Sequence, residues 1–260
     1  MTHKPRKRFG QHFLTDMTII HQIHTAIRPS ADEHLVEIGP GEGVITDSLI
    51  PQCKRLDLIE IDRDLVRHLE QKTHHAPHVH IHCCDVLSFD LAALVSAHAK
   101  LRIVGNLPYN ISTPLLFHLF KTIDAIEDMH FMLQKEVIDR MTASVGDPLY
   151  NRLSVMTQYF CDNTTLFYIP PTAFHPPPKV DSAFIRMQPV KREVFAHCLD
   201  TLETVVRTAF TQRRKTIQNS LKGLLSPKDF IAVNVDPGAR PQQCTVDNFV
   251  KISNLLYDRQ

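Results

Sequence analysis

No apolar run in these 260 residues approaches the roughly 18 that a membrane-spanning helix needs, so no transmembrane segment and no membrane partner are expected. The N-terminus, MTHKPRKRFGQ, is basic and has none of the apolar stretch of a secretory leader. Six cysteines, Cys53, Cys83, Cys84, Cys161, Cys198 and Cys244, form no CxxC pair, so neither a disulfide framework nor a thiol redox motif is expected. Together these absences point to a soluble, cytoplasmic protein with reduced thiols. Internal repeats are missing, and the only biased tract is the proline cluster from Pro170 to Pro178. A uniform excess of charge is missing as well: the formal net charge is +1. Any grip on nucleic acid must then come from local clusters, and two stand out: Lys4, Arg6, Lys7 and Arg8, and later Arg213, Arg214 and Lys215.

What is present is enough to fold without staples, because 43% of the residues are hydrophobic. Short β-type runs alternate with helical stretches through about residue 160. HLVEIG, RLDLIEID, VHIHCCD, LRIVGNLP and EDMHFMLQ are separated by segments such as DLVRHLEQKTHH and TPLLFHLFK. This alternation predicts an α/β fold with a mostly parallel, doubly wound sheet. After a helical segment from Tyr150 to Phe160, NTTLFYIP and DSAFIRMQP follow around the proline-rich loop as an antiparallel pair at the sheet edge. Beyond Val190 the pattern becomes amphipathic helix, in ETVVRTAFTQRRKTIQNSLKGLL and then TVDNFVKISNLLYD. The expected division is a sheet domain over residues 1–190 and a small all-helical domain over 191–260.

Three strand ends carry the signs of a nucleoside-type ligand. The first strand runs into Gly39-Pro40-Gly41-Glu42-Gly43, where glycine permits a tight turn and close approach of a ligand to the backbone. The third glycine arrives one residue earlier than in the G-x-G-x-x-G of dinucleotide sites, which suits S-adenosylmethionine better than NAD. Glu60 ends the second strand, where a carboxylate can accept both ribose hydroxyls, a device that NAD enzymes share. Asp85 ends the third and can accept from the exocyclic amine of an adenine. Each acidic residue alone is equally readable as a helix cap.

The fourth strand delivers Asn106-Leu107-Pro108-Tyr109 to the same edge. This tetrapeptide suits chemistry on an amine conjugated to a ring. Such a nitrogen must become pyramidal before its lone pair can attack a methyl sulfonium. Acceptors on its two hydrogens, from the Asn106 side chain and the Leu107 main chain, would favour that geometry. Pro108 removes a competing donor and stiffens the loop, and Tyr109 can stack on an extruded base. His80, His82 and Cys84 share a strand face, but with no evident fourth ligand no metal is expected. The apolar run Leu115 to Phe120 is read as core packing.

The chain closely resembles the ribosomal RNA adenine N6,N6-dimethyltransferases, the KsgA/RsmA family, over nearly its whole length. The resemblance rests on Arg8-Phe9-Gly10-Gln11-His12-Phe13-Leu14, the EIGPGEG turn, Asn106 to Tyr109, Phe174 to Ser182 (FHPPPKVDS), and Ala209-Phe210 with Arg213 to Thr216. It implies a Rossmann-like class I methyltransferase sheet and cofactor contacts from His12, Leu14, Gly39, Gly41, Glu60, Asp85 and Asn106. Phe174 is implied to face Tyr109 across the target adenine. The implied substrate is a pair of adjacent adenines in the 3′-terminal hairpin of 16S rRNA, within an immature 30S subunit. Family members commonly carry Asn where this chain has His12. Rival readings are a DNA adenine methyltransferase, a large-subunit resistance methyltransferase and an assembly factor whose catalysis is secondary. A monomer is expected, since no coiled coil or long exposed apolar strand asks for a partner.

Overall fold

The computed structural model describes residues 11–95, 100–109, 111–212 and 214–259. The strands are β1 (Phe13–Leu14), β2 (His34–Ile38), β3 (Arg55–Glu60), β4 (Val79–Cys83), β5 (Leu101–Asn106), β6 (Ile126–Gln134), β7 (Cys161–Ile169), β8 (Phe174–His175) and β9 (Ser182–Pro189). The helices are α1 (Met17–Ile27), α2 (Thr46–Leu49), α3 (Arg63–Thr73), α4 (Ser112–Phe120), α5 (Lys135–Met141), α6 (Arg152–Phe160), α7 (Leu199–Thr211), α8 (Ile217–Ser220), α9 (Pro227–Ala232) and α10 (Val246–Tyr257). None of the described helices is long and apolar enough to cross a membrane.

Seven strands form one sheet in the order β4-β3-β2-β5-β6-β9-β7, and β1 pairs separately with β8. Strands β4, β3, β2, β5 and β6 run parallel, and β9 runs antiparallel to β6. All five residues of β2 are buried, as are the first five of β5, as expected where both sheet faces are covered. Because the strands are parallel, Gly39, Ile61, Cys84 and Leu107 all leave the sheet at one edge. That edge is where ligands of such sheets bind.

Helix α1 was not among the expected helices. Asp16 caps it, accepting from the backbone N–H of Thr18 and Ile19, and Ile19, Ile20, Ile23 and Ile27 form its buried face. They join Leu14, Leu35, Val104, Met132, Phe174 and Phe184 in one core cluster. Beneath it Arg102 donates through Nε and Nη2 to Asp128, through Nη1 to Glu33, and to the carbonyls of Ile27 and Arg28. One buried guanidinium thereby ties the end of α1 to β5 and β6.

The contacts group the chain into two compact units, residues 1–138 with 164–189, and residues 139–163 with 190–260. The segment 139–163, which the sequence pattern puts with the sheet, thus clusters with the late helices. Within that second unit the expected long helix from Glu203 to Leu225 is interrupted. α7 stops at Thr211 and α8 begins at Ile217, whose N–H bonds to the carbonyl of Ala239 at 2.6 Å. A contact from far along the chain has replaced the i−4 bond that would have continued the helix.

Candidate active site

The parallel sheet edge opens into a cleft lined by the ends of β2, β3 and β5, the turn after β4 and the N-terminal segment. His12, Leu14, Gly39, Gly41, Glu60, Asp85, Asn106, Leu107, Pro108 and Tyr109 all line it. Ten positions singled out in the sequence therefore meet in one place.

The floor is the glycine turn after β2. Gly41 has φ +59°, a backbone conformation that favours glycine, and a Cβ there would sit a tight 3.1 Å from the Phe13 ring. Glu60 lies beside the turn, 6% exposed. Its two oxygens accept from the N–H of Asp62 at 2.9 Å and of Gly41 at 3.2 Å. Burial pushes its carboxyl above the usual range, against the pull of these N–H groups. Asp85 caps the short turn after β4, with Oδ1 on the N–H of Leu87, and is exposed. Each carboxylate thus serves as a local cap and still has lone pairs to offer a ligand.

Sequence reasoning passed over Glu37, which also lines the cleft. It is 1% exposed and accepts from the Thr46 hydroxyl at 2.6 Å. Burial raises its pKa to about 7, offset only in part by that hydrogen bond. The available signal was its place at a strand end, the same cue that marked Glu60. Gly105 was also missed. A Cβ there would lie 2.6 Å from the Ile38 carbonyl, so β5 can approach β2 only with glycine at this position.

The N-terminal segment forms one wall because β1 is stitched antiparallel to β8, Leu14 opposite Phe174. The N–H of Thr15 adds a bond to the Ala173 carbonyl. His12 Nδ1 lies 2.7 Å from the Pro176 carbonyl, and the Asn106 amide donates from Nδ2 to the main-chain oxygen of His12 at 3.1 Å. The Tyr109 hydroxyl is 2.8 Å from Ser182 Oγ on β9. Burial raises the Tyr109 pKa and the Ser182 bond opposes it, so the phenol stays neutral at physiological pH.

Phe174, expected to face Tyr109 across a target adenine, stands directly opposite Leu14 in the β1–β8 pair. Its ring is 4% exposed and packed in the core with Leu14, Ile20 and Ile23, and it is not among the residues lining the cleft. Pairing with β1 turns this side chain inward, where burial of an aromatic ring is favoured. Lys4, Arg6, Lys7, Arg8 and Arg213 lie outside the described residues. Arg214 and Lys215 are exposed in the turn between α7 and α8. Among the described residues no group of three or more His, Cys, Asp or Glu side chains is arranged to hold a metal ion. His82 and His34 instead bond to the buried Asp57, at 2.6 and 2.5 Å.

The family model for ribosomal RNA adenine dimethylase matches residues 2–258. The chain is 55% identical over 254 residues to a "Ribosomal RNA small subunit methyltransferase A" of Coxiella burnetii, covering 96% of this chain and 97% of that one. Among solved structures, a dimethyladenosine transferase from Plasmodium falciparum superposes with a TM-score of 0.77 at 24% identity, covering 93% and 96% of the two chains. The 23S rRNA methyltransferase ErmE superposes with a TM-score of 0.73 at 25% identity, covering 94% and 99%.

Proposed function

The chain belongs to the ribosomal RNA adenine dimethylase family, and we propose that its substrate is a pair of adjacent adenosines in the 3′-terminal hairpin of 16S rRNA, presented on an immature 30S subunit. It is an S-adenosylmethionine-dependent enzyme that dimethylates adenine in ribosomal RNA. The cofactor supplies an electrophilic methyl group carried on a sulfonium sulfur. The cleft suits it: the glycine turn leaves backbone open to contact, and two strand-end carboxylates flank that turn. Glu60 would take the ribose hydroxyls and Asp85 the adenine amine, while His12 and Leu14 cover the site from the N-terminal segment.

The remaining work falls to the loop after β5. A main-chain carbonyl can only accept, so the Asn106 amide must turn its nitrogen to His12 and keep its oxygen for the substrate. That single contact carries the assignment of Asn106 as an acceptor for the target amine. With the Leu107 main-chain oxygen accepting the second hydrogen, the nitrogen is held pyramidal and its lone pair is aimed away from both acceptors. Pro108 contributes no N–H to compete. Tyr109, tethered at its hydroxyl, offers the extruded base a stacking face worth roughly 1–3 kcal/mol. The proton becomes acidic once the nitrogen carries positive charge and passes to solvent, so positioning supplies the rate.

Net charge supports a particle as substrate. At +1 the protein cannot rely on broad phosphate attraction, so Arg214 and Lys215 would act as local grips on RNA whose shape is already organised. The deciding experiment is radiolabelled methyl transfer to undermethylated small subunits, to large subunits and to naked rRNA, with Asn106→Ala as control. Dimethyladenosine confined to the small-subunit hairpin supports the proposal; transfer to large subunits alone, or equal transfer to naked rRNA, overturns it.

A further inference from the structure

The glycine turn after β2 is gripped by a residue of α3 that does not itself line the cleft. Lys72, in the last turn of α3, donates from Nζ to the Glu42 carbonyl at 2.9 Å, to the Gly43 carbonyl at 3.1 Å and to Asp47 Oδ2 at 2.8 Å. An ammonium has three protons to donate, so this one is fully used. Its stem packs as closely: a Cβ on Gly43 would lie 3.0 Å from Leu69 and 3.3 Å from Lys72, so glycine at this position lets α3 close on the turn. The other end of the same helix meets the carboxylate beside the turn, since Asp62, its N-cap, donates its N–H to Glu60.

Resting on the reading of this cleft as the S-adenosylmethionine site, we infer that Lys72 is a positioning residue for the cofactor, holding the glycine turn in its binding conformation before the ligand arrives. Peptide planarity carries the effect through the turn. Fixing the Glu42 carbonyl on Lys72 points the Gly43 N–H the opposite way, onto the Pro40 carbonyl at 2.9 Å. The Gly43 carbonyl, fixed by the same ammonium, also takes the N–H of Asp47 at the start of α2. On the amide side Glu60 takes the N–H of Gly41. The turn is thus held between an ammonium on two of its carbonyls and a carboxylate on one of its amides. Without the ammonium, a glycine-rich backbone regains torsional freedom that ligand binding must remove again, and affinity falls. The Asp47 contact contributes little, because that carboxylate is 55% exposed and its pairing is screened by water.

The test uses the full chain with Lys72→Met, which keeps the stem, Asp47→Asn, which removes only the ion pair, and Gly41→Ala as a reference within the turn. Calorimetry with S-adenosylmethionine reads cofactor affinity, and methyl transfer to undermethylated small subunits with cofactor varied reads KM and kcat. Lys72→Met should weaken cofactor affinity and raise the cofactor KM about 10-fold, the scale of one charge-assisted hydrogen bond, with kcat at saturating cofactor within about threefold of the parent. Asp47→Asn should stay within about threefold in every quantity. Intact affinity in Lys72→Met beside a loss in Gly41→Ala overturns the inference, even if the melting temperature drops, because Lys72 then serves stability alone. An equal loss in Asp47→Asn also overturns it, by making the ion pair the working contact. If neither Lys72→Met nor Gly41→Ala changes affinity, the turn is not the cofactor site, and the reading of the cleft falls together with the inference.

Discussion

The amide nitrogen of Asn106 donates to the main-chain oxygen of His12 across 3.1 Å, joining the loop after β5 to a segment 94 residues earlier. The bond sets which way the amide faces, with its nitrogen turned to His12. An acceptor at this point is useful only if it is held rigidly, and β1 is held by its pairing with β8.

Replacing the Asn106 nitrogen should therefore cost more than a lost hydrogen bond. Asn106→Asp sets a carboxylate oxygen against the His12 carbonyl, and Asn106→Ala removes the acceptor. Both should lower the single-turnover methyl-transfer rate by about 100-fold or more, the scale seen when one positioned transition-state contact is removed. Rapid-quench measurement with saturating cofactor reads this directly.

Glu37 gives the protein without cofactor a stability that falls as pH rises. Its folded pKa, raised by burial to about 7, exceeds the 4.5 of the unfolded chain. The folded state thus holds an extra proton between those values, and the contribution is complete below about 4.5 and lost through about 7. The full effect is up to roughly 3 kcal/mol. Glu37→Gln should remove this contribution and raise the melting temperature at pH 8, as scanning calorimetry across pH 5–8 would show.

His130 acts with the opposite sign. Burial between β5 and β9, against the Phe184 ring, lowers its pKa from 6.5 to about 4, and the nearby Arg102 and Arg186 also disfavour its protonation while Asp128 favours it. The unfolded chain binds the proton more readily, so this contribution is complete above about 6.5 and is lost as pH falls towards 4. In the parent it partly cancels the Glu37 slope. His130→Phe should remove that offset, so stability should then decline more steeply between about pH 5 and pH 7 and level off by pH 8; an unchanged profile would count against the His130 assignment.

Arg102→Ala leaves Asp128 in a site that is 2% exposed without its bidentate partner. Breaking a buried pair in this way costs about 3–5 kcal/mol. Urea unfolding should register that loss. The double variant Arg102→Met with Asp128→Leu should recover much of it, since two apolar side chains carry no desolvation penalty.

Arg214 and Lys215 should act on affinity alone. If they contact phosphates, Arg214→Ala and Lys215→Ala should each weaken binding to small subunits and reduce the slope of log affinity against log salt by about 1. The rate at saturating subunit concentration should stay constant. A filter-binding series between 50 and 200 mM salt tests this.

Much of the cleft was legible because strand ends are legible. HLVEI, RLDLIE, VHIHC and LRIVGN are runs followed within two residues by Gly, Asp or Pro, and parallel pairing brings every such stop to one edge. Glu60, Asp85 and Asn106 needed no knowledge of the tertiary structure beyond that rule. Helix α1 was less visible, because its strongest cue is one capping aspartate before a run rich in β-branched residues, which also suits a strand.

The sequence by itself determined the order of the parallel strands, the glycine turn, the strand-end carboxylates and the Asn106 to Tyr109 loop, all of which depend on residues near one another in the chain. Only the tertiary structure decided that Phe174 turns into the core, that the helix after Glu203 breaks at Gln212, and that His12 faces Tyr109. Each of those outcomes is set by a partner far away in sequence: Leu14 opposite Phe174, Ala239 bonded to Ile217, and Pro176 holding His12. Local propensity carries no information about which distant backbone group will satisfy a given donor or acceptor, so these placements emerge only when the chain has closed on itself.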